Sequence, residues 1–324
     1  MANQLPLNEI ETKALEQGDA LKALEWVRQS LAADTRSGAK NLILKFEKRV
    51  AREEKEQKKL EALWNYESEA ARRGYKAVAG VDEAGRGPLA GPVVAGAVIL
   101  PAGGALKGVD DSKKLTPAKR DELFSFIRQT AVSYGVGQAS VQEIDELNIY
   151  RASQLAMQRA IEALSVKPDF LLTDAMPLPA LSHIPQKPLI HGDALSSSIA
   201  AASILAKVTR DRQMEEMHLK YPQYGFDGHK GYGTEIHVKA LQDHGVCPEH
   251  RLTFGPVMEA LAQKNSGGPF RFWSDKLKTA GNLTELQQAG LQVKRAALGM
   301  LTEDEVELLR ELFREKRETF NTND

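Results

Sequence analysis

The order of apolar and amphipathic segments between residues 77 and 257 constrains the fold of this chain more than any other feature. Three short apolar runs come first, and a fourth, which ends in Asp174, lies between two segments with helical spacing. Strands that first cluster and then alternate with helices are typical of an α/β domain with a mixed sheet. The predicted strands cover residues 78–83, 93–100, 131–139 and 169–174, and the predicted helices cover residues 143–164 and 194–217.

The segments on either side of this region lack strand-like runs and have helical patterns instead. Capping-box spacing occurs at Asn8 with Glu11 and at Thr302 with Glu305. A further N-terminal helix is predicted over residues 41–73, and we interpret its many Lys, Arg and Glu residues as a solvated face. We therefore predict a helical N-terminal extension at 1–76, an α/β domain at 77–257 and a helical C-terminal extension at 258–324.

The composition narrows the class of protein. The chain has 324 residues, of which 42% are hydrophobic and 27% charged, as in globular proteins with a sizeable core. Its single cysteine, Cys247, excludes an internal disulfide framework and a zinc site built from cysteines. The net charge of −1 gives no global basic field, although a local groove can still be basic. The N-terminus has no signal-peptide pattern and prolines interrupt the uncharged stretch at 87–106, so we expect a cytoplasmic protein without a membrane partner.

Four acidic residues lie at positions that a folded sheet could bring close together. Asp82 and Glu83 close the first predicted strand, Asp174 closes a later one, and Asp193 precedes the helix at 194–217. Strand ends on one side of an open α/β sheet share a crevice, and hard cations such as Mg²⁺ prefer oxygen ligands. Two such ions can activate a water and stabilise the leaving oxygen of a phosphodiester. From position alone, solvated acids at strand ends remain the commoner interpretation.

Several ordered blocks of the sequence resemble the ribonuclease HII family, the bacterial type 2 ribonucleases H. Residues 80–93 read GVDEAGRGPLAGPV, which is similar to the opening signature of that family. The resemblance covers about residues 77–257. The further blocks are DSKKL at 111–115, GD at 192–193 with SIAAASILAKV at 198–208 and RD at 210–211, GYGT at 231–234 with His237, and HRLTF at 250–254.

This resemblance implies a fold, a reaction and a set of catalytic residues. The fold would be a ribonuclease H-like mixed sheet of five strands flanked by helices. The reaction would be hydrolysis of the RNA strand of RNA–DNA hybrids, and cleavage on the 5′ side of single ribonucleotides in duplex DNA, leaving 3′-hydroxyl and 5′-phosphate ends. Two divalent cations, Mn²⁺ or Mg²⁺, would be held by catalytic carboxylates that match Asp82, Glu83, Asp174 and Asp193. Asp174 is preferred to Asp169 because it lies at the end of its strand.

The resemblance also implies substrate contacts. The family uses the segment matching Gly85, Arg86 and Gly87 to sense a 2′-hydroxyl, and the tyrosine matching Tyr232 to pack on the sugar. Lys113 and Lys114 are candidate phosphate contacts, although a Lys-Lys pair is more often only solvated. Ser196, near a predicted helix start, could bind phosphate or cap the helix.

Function and partners beyond the substrate are less constrained. The family resemblance implies a role in ribonucleotide removal and RNA primer removal, within DNA repair and replication. A sliding-clamp partner is left open, and we expect a monomer because nothing in the sequence demands an oligomer. Two alternatives remain: a ribonuclease HIII-like hybrid nuclease, and a catalytically inactive hybrid-binding protein. Arg86, where the HIII signature typically has lysine, and the helical N-terminus both favour the HII family.

Overall fold

A computed structural model describes residues 5–106, 108–109, 115–264 and 268–321 of the chain. The chain forms two compact units, Met1–Asn65 and Tyr66–Asp324. Within the described part, none of the helices combines the length and the apolar character that crossing a bilayer requires.

The first unit is helical, as predicted. Asp19 accepts a hydrogen bond from the Lys22 amide and so caps the second helix. The core of the unit is a small cluster that includes Ile10, Val27 and Phe46. Its helices are α1 (Leu7–Leu15), α2 (Ala20–Ser30) and α3 (Ser37–Leu63).

The prediction of one continuous helix over 41–73 is wrong, because the helix is interrupted at Trp64. The backbone at Trp64 has φ −100° and ψ 3°, which ends α3. A new helix, α4 (Asn65–Arg72), begins at the next residue. The sequence gives no breaker signal here, because no glycine or proline lies between residues 41 and 73.

The second unit contains the mixed five-stranded sheet that was predicted. Its strands are β1 (Val78–Ala84), β2 (Val93–Ile99), β3 (Ser133–Ala139), β4 (Phe170–Asp174) and β5 (Gln186–Leu189), in the order β3-β2-β1-β4-β5. The central strand β1 pairs antiparallel with β2 and parallel with β4. Strand β5 has no counterpart among the strands predicted from the sequence. It is a four-residue edge strand that contains Pro188, a residue that strand patterns exclude except at edges.

The helix predicted over 143–164 is also two helices. Asn148 has φ +66°, and its side chain accepts hydrogen bonds from the Tyr150 and Arg151 amides, so it caps a new helix. The helices of this unit after α4 are α5 (Pro117–Thr130), α6 (Val141–Leu147), α7 (Ile149–Glu162), α8 (Ser197–Lys220), α9 (Phe226–His229), α10 (Glu235–His244), α11 (Gly255–Lys264), α12 (Gly268–Thr279), α13 (Leu283–Met300) and α14 (Glu303–Asn321).

Helices α7 and α8 pack on opposite faces of the sheet. Ala156 and Ala160 of α7 join the core with Val81 and Ala95, which share one face of the strands. On the other face, α8 approaches so closely that a Cβ on Gly96 would lie 2.4 Å from the Ala202 carbonyl oxygen. Small residues on the strands and on the helix therefore set the helix-to-sheet distance.

The C-terminal helices share a hydrophobic core with earlier parts of the second unit. Trp273 and Leu309 from this region belong to the same buried cluster as Leu89, Leu241 and Leu252. Residues after 257 thus help to bury apolar side chains of the segment that carries the family-like motifs.

Candidate active site

The carboxyl ends of the parallel strands β1 and β4 bring three acidic side chains together. Val81 pairs with Thr173 in the register of the two strands, so Asp82 and Asp174 follow at the same level. Glu83 is next on β1, which continues to Ala84 before the chain leaves the sheet. Asp169, the alternative to Asp174, lies at the other end of β4, where it accepts hydrogen bonds from the Lys76 and Ala77 amides.

These carboxylates perturb one another. Burial, followed by repulsion from Glu83 and Asp174, raises the pKa of Asp82 well above its usual range. Burial also raises the pKa of Glu83 to about 7, against the opposing effect of Arg86 and with a further contribution from Asp174. The Asp82 carboxylate is hydrogen-bonded to Ser203 and accepts from the Glu83 amide at 2.7 Å. Perturbed acids of this kind are common at catalytic sites.

A backbone hydrogen bond attaches the turn that carries Asp193 to this group, whereas the described contacts include none between the Asp193 side chain and the other three acids. It lies half-buried in a 3-10 turn, Gly192–Ala194, between β5 and α8. The amide of the preceding residue, Gly192, donates to Asp174 Oδ1 at 2.7 Å. The turn that carries Asp193 is therefore attached directly to the Asp174 side chain.

The donor set fits a divalent cation bound together with substrate. Its donors are carboxylate oxygens, and Glu83 Oε2 is buried with no hydrogen-bond partner among the described residues. Within the described ranges, no three His, Cys, Asp or Glu side chains form a ready-made metal cluster. Mg²⁺ typically uses one or two carboxylates and completes its shell with water and substrate phosphate. The repulsion between these buried acids is what such a cation would relieve.

A glycine-containing loop follows the acids directly and rests on two buried arginines. Gly85 has φ +96°, and a Cβ there would lie 2.1 Å from Arg210 Nε, so only glycine fits. Arg251 donates to the carbonyls of Gly85 at 2.6 Å and Arg86 at 2.9 Å, and also to that of Gly91. Arg210 donates to the carbonyls of Pro92 and Ala90. The loop conformation thus depends on long-range contacts from two other motif blocks.

Burial lowers the pKa of both arginines, and mutual repulsion adds to the shift at Arg251. Guanidinium groups remain charged at neutral pH despite such shifts. Two positive charges consequently lie beneath the loop, where they favour a bound anion.

Tyr232 faces the same loop. Its side chain is exposed, and a Cβ on Gly87 would lie 3.6 Å from the Tyr232 ring. The Tyr232 carbonyl is held at 2.9 Å by His237 Nδ1, and His237 Nε2 lies 3.0 Å from His250 Nε2.

One backbone donor fixes which ring nitrogen carries the proton in each of these two histidines. The Cys247 amide donates to His250 Nδ1, so His250 carries its proton on Nε2 and donates to His237. His237 then donates from Nδ1 to the Tyr232 carbonyl. Burial lowers the pKa of His237 to about 4 and that of His250 to about 3, which keeps both rings neutral.

The remaining predicted contacts have different positions. Lys113 and Lys114 lie outside the described residues. Ser196 is fully buried, accepts from the Ile199 amide as the cap of α8, and donates to Glu67. The sequence did not assign roles to Arg210, Arg251, His250 and Glu67, because their contacts join segments far apart in the chain. The one local signal was that the two arginines lie within the matched motif blocks.

The matching family profiles and the curated relatives point to one family. The profile of the family described as ribonuclease HII matches residues 79–257, and that of the ribonuclease HII N-terminal domain matches residues 8–71. The chain is 54% identical over 233 residues to ribonuclease HII of Geobacillus thermodenitrificans, covering 72% of this chain and 89% of the relative. It is 51% identical over 242 residues to ribonuclease HII of Myxococcus xanthus, covering 74% and 82%.

A solved structure shares the fold. The crystal structure of ribonuclease H2 from Pyrococcus horikoshii OT3 superimposes with a TM-score of 0.51 at 29% identity, covering 59% of this chain and all of that one.

Proposed function

This chain belongs to the ribonuclease HII family of nucleases, and we propose that it hydrolyses the RNA strand of RNA–DNA hybrids and cuts duplex DNA on the 5′ side of single embedded ribonucleotides. The observation that carries the proposal is the meeting of Asp82, Glu83 and Asp174 beside an exposed tyrosine and a glycine loop that is exposed at its last two residues.

The loop and Tyr232 are suited to recognise a ribonucleotide. A 2′-hydroxyl both donates and accepts hydrogen bonds, so a site that senses it needs both kinds of partner. The amides of Arg86 and Gly87 donate to no described residue and are available to the 2′-oxygen. The Gly85 and Arg86 carbonyls each accept from Arg251 and retain a second lone pair for the hydroxyl proton. Tyr232 would pack on the sugar from the Gly87 side.

The carboxylates would hold the metal and the scissile phosphate. Asp82, Glu83, Asp174 and Asp193 are the proposed ligands of two divalent cations, Mn²⁺ or Mg²⁺. When bound, such ions generate the attacking hydroxide and stabilise the leaving 3′-oxygen, which gives 3′-hydroxyl and 5′-phosphate ends. Arg86, whose Nη1 lies 3.3 Å from Glu83 Oε1, is exposed enough to contact a phosphate instead. Lys113, Lys114 and Ser196 remain predicted substrate contacts.

The biological role follows from that activity. An enzyme with this specificity would remove misincorporated ribonucleotides and RNA primers, and we propose that it does so in the cytoplasm as a monomer.

The test is cleavage of a DNA duplex that carries one ribonucleotide, in Mg²⁺ and in Mn²⁺. All-DNA and long-hybrid duplexes are the controls. We expect a single cut on the 5′ side of the ribonucleotide, no cut in all-DNA, and loss of cleavage in Asp82→Asn. Asp169→Asn, which alters the acid at the opposite end of β4, should still cut.

Two other outcomes would replace the proposal. Cleavage restricted to the long hybrid would favour a ribonuclease HIII-like activity. Tight binding of both substrates with no cleavage in either metal would favour an inactive hybrid-binding protein.

A further inference from the structure

A buried carboxylate outside the four proposed ligands makes three hydrogen bonds close to them. Glu67 lies on α4 with only 4% of its surface exposed. Its Oε1 accepts from Ser196 Oγ at 2.6 Å, from Ser198 Oγ at 2.6 Å and from the Ser198 amide at 2.9 Å. Three donors on one oxygen suit a carboxylate, because that group only accepts.

These serines belong to the turn of residues 192–198, which begins with the 3-10 turn that carries Asp193 and runs into the first residues of α8. Ser196 is the N-cap of α8, and its amide donates to the Gly192 carbonyl at 2.9 Å. Asp193 lies inside the loop that this bond closes. A displacement of Ser196 would therefore move Gly192, the residue adjacent to Asp193, through one hydrogen bond.

The same turn contacts the strands that carry the other acids. Its Gly192 amide donates to Asp174 Oδ1 at 2.7 Å. Its Ser198 backbone packs on β1 so closely that a Cβ on Gly80 would lie 2.1 Å from the Ser198 carbonyl carbon. Gly80 is two residues before Asp82, on the same face of the strand. The turn, which carries Asp193, is thus the common neighbour of the strands that bear Asp82 and Asp174.

We propose that Glu67 is a positioning residue, which holds the turn of residues 192–198 so that Asp193 and Asp174 face Asp82. This inference rests on the proposed metal-dependent cleavage. Glu67 itself touches neither metal nor substrate and acts through Ser196 and Ser198. Residues hydrogen-bonded to metal ligands commonly affect metal affinity or activity by about 10- to 100-fold when they are removed, and Glu67 would act in the same way through the backbone of the turn.

The test compares Glu67→Ala with Glu67→Gln and with a matched control, Glu69→Ala, in the full-length protein. Glu69 is on the same helix, but it is only half-buried, and its ion pair in the described contacts is with Lys187. Three quantities are measured: amide hydrogen exchange of residues 192–199, Mn²⁺ affinity by calorimetry without substrate, and kcat and KM on the duplex with one ribonucleotide.

For Glu67→Ala we expect faster exchange in the turn, Mn²⁺ affinity and kcat each reduced by about 10- to 100-fold, and little change in KM. Glu67→Gln keeps an acceptor oxygen and should lose about fivefold or less. Glu69→Ala should match the wild type. If the alanine variant does not fold, Glu67→Asp, which retracts the carboxylate by one methylene group, takes its place with the same expected losses.

If Glu67 had a purely structural role, Glu67→Ala would lower the melting temperature but leave Mn²⁺ affinity and kcat unchanged at temperatures where the variant is folded. That result would overturn the inference. Unchanged exchange in the turn would overturn it as well. Failure of the wild type to cleave would instead refute the proposed function. The exchange and Mn²⁺ measurements need no cleavage and would still decide the role of Glu67.

Discussion

At the residue scale, the site is defined by acids whose ionisation is opposed first by burial and then by repulsion between them. Glu83 is the clearest case, because one of its oxygens has no hydrogen-bond partner among the described residues and burial raises its pKa to about 7. The sequence allowed this group to be predicted, since each acid closes a strand or precedes a helix. It could not show the repulsion, which depends on the register of β1 and β4 and on burial by α8.

Replacement of Glu83 should stabilise the metal-free protein in a pH-dependent way. The pKa of Glu83 is about 7 in the folded state and near 4.5 when unperturbed. The stability that its protonated form contributes is therefore complete below about pH 4.5 and is lost as the pH rises through about 7. In Glu83→Gln this loss is absent, so the free energy of unfolding should exceed that of the wild type by about 2–3 kcal/mol more at pH 8 than at pH 5.

The measurement is hydrogen exchange of the β1 amides in EDTA, because a central strand reports global opening of its unit. Glu259→Gln is the control, since Glu259 is an exposed residue of α11. A gain that does not change between the two pH values would contradict burial of the ionised Glu83 carboxylate as the cause.

At the element scale, glycine and alanine set the distance between the sheet and its helices. Gly80 and Gly96 face α8, and Gly135 and Gly137 face α7, each with helix backbone within 2.5 Å of where a Cβ would stand. The small-residue stretch of α8 was visible in the sequence, as were these glycines. The sequence could not show which glycine lies against which helix, because that depends on which residues of a strand and a helix meet in space.

Gly96→Ala should destabilise the second unit strongly. The added Cβ would lie 2.4 Å from the Ala202 carbonyl oxygen, which is helix backbone and cannot turn aside as a side chain can. We expect a loss of about 2–3 kcal/mol, measured by exchange of the β1 amides. Gly228→Ala is the control, because nothing lies within 4 Å of its Cβ position. Equal stabilities of the two variants would show that α8 can shift outward without cost.

At the scale of the whole molecule, the described residues form two units with separate hydrophobic clusters. The cluster around Phe46 contains only residues of the first unit, whereas Trp273 shares a cluster with Leu89 and Leu241 of the second. The helical nature of both terminal regions was predictable from capping motifs and spacing. The contact of the C-terminal helices with Leu89, just after the glycine loop, could not be predicted. An apolar helix face shows that the helix packs against something, but not against which surface.

Two core substitutions should therefore have different consequences for the sheet. Trp273→Ala, at a side chain that is 2% exposed, should cost about 3–5 kcal/mol and speed exchange of the β1 amides. Phe46→Ala, equally buried in the first unit, should leave β1 exchange unchanged. If both variants accelerated β1 exchange equally, the two units would share one unfolding transition.

The type of fold, the candidate carboxylates and the glycine loop could be predicted from the amino-acid order, because strand and helix periodicity and turn residues are local properties. The sequence also carried the motifs by which the family is recognised. Which side chains meet in space depends on the tertiary fold. Arg210 and Arg251 lie beneath the loop, His250 and His237 lie behind Tyr232, and Glu67 lies beneath the turn of Asp193. Each of these contacts joins residues that are distant in the chain. They exist only once strand register and helix packing have been set, and no local pattern of residues encodes that arrangement.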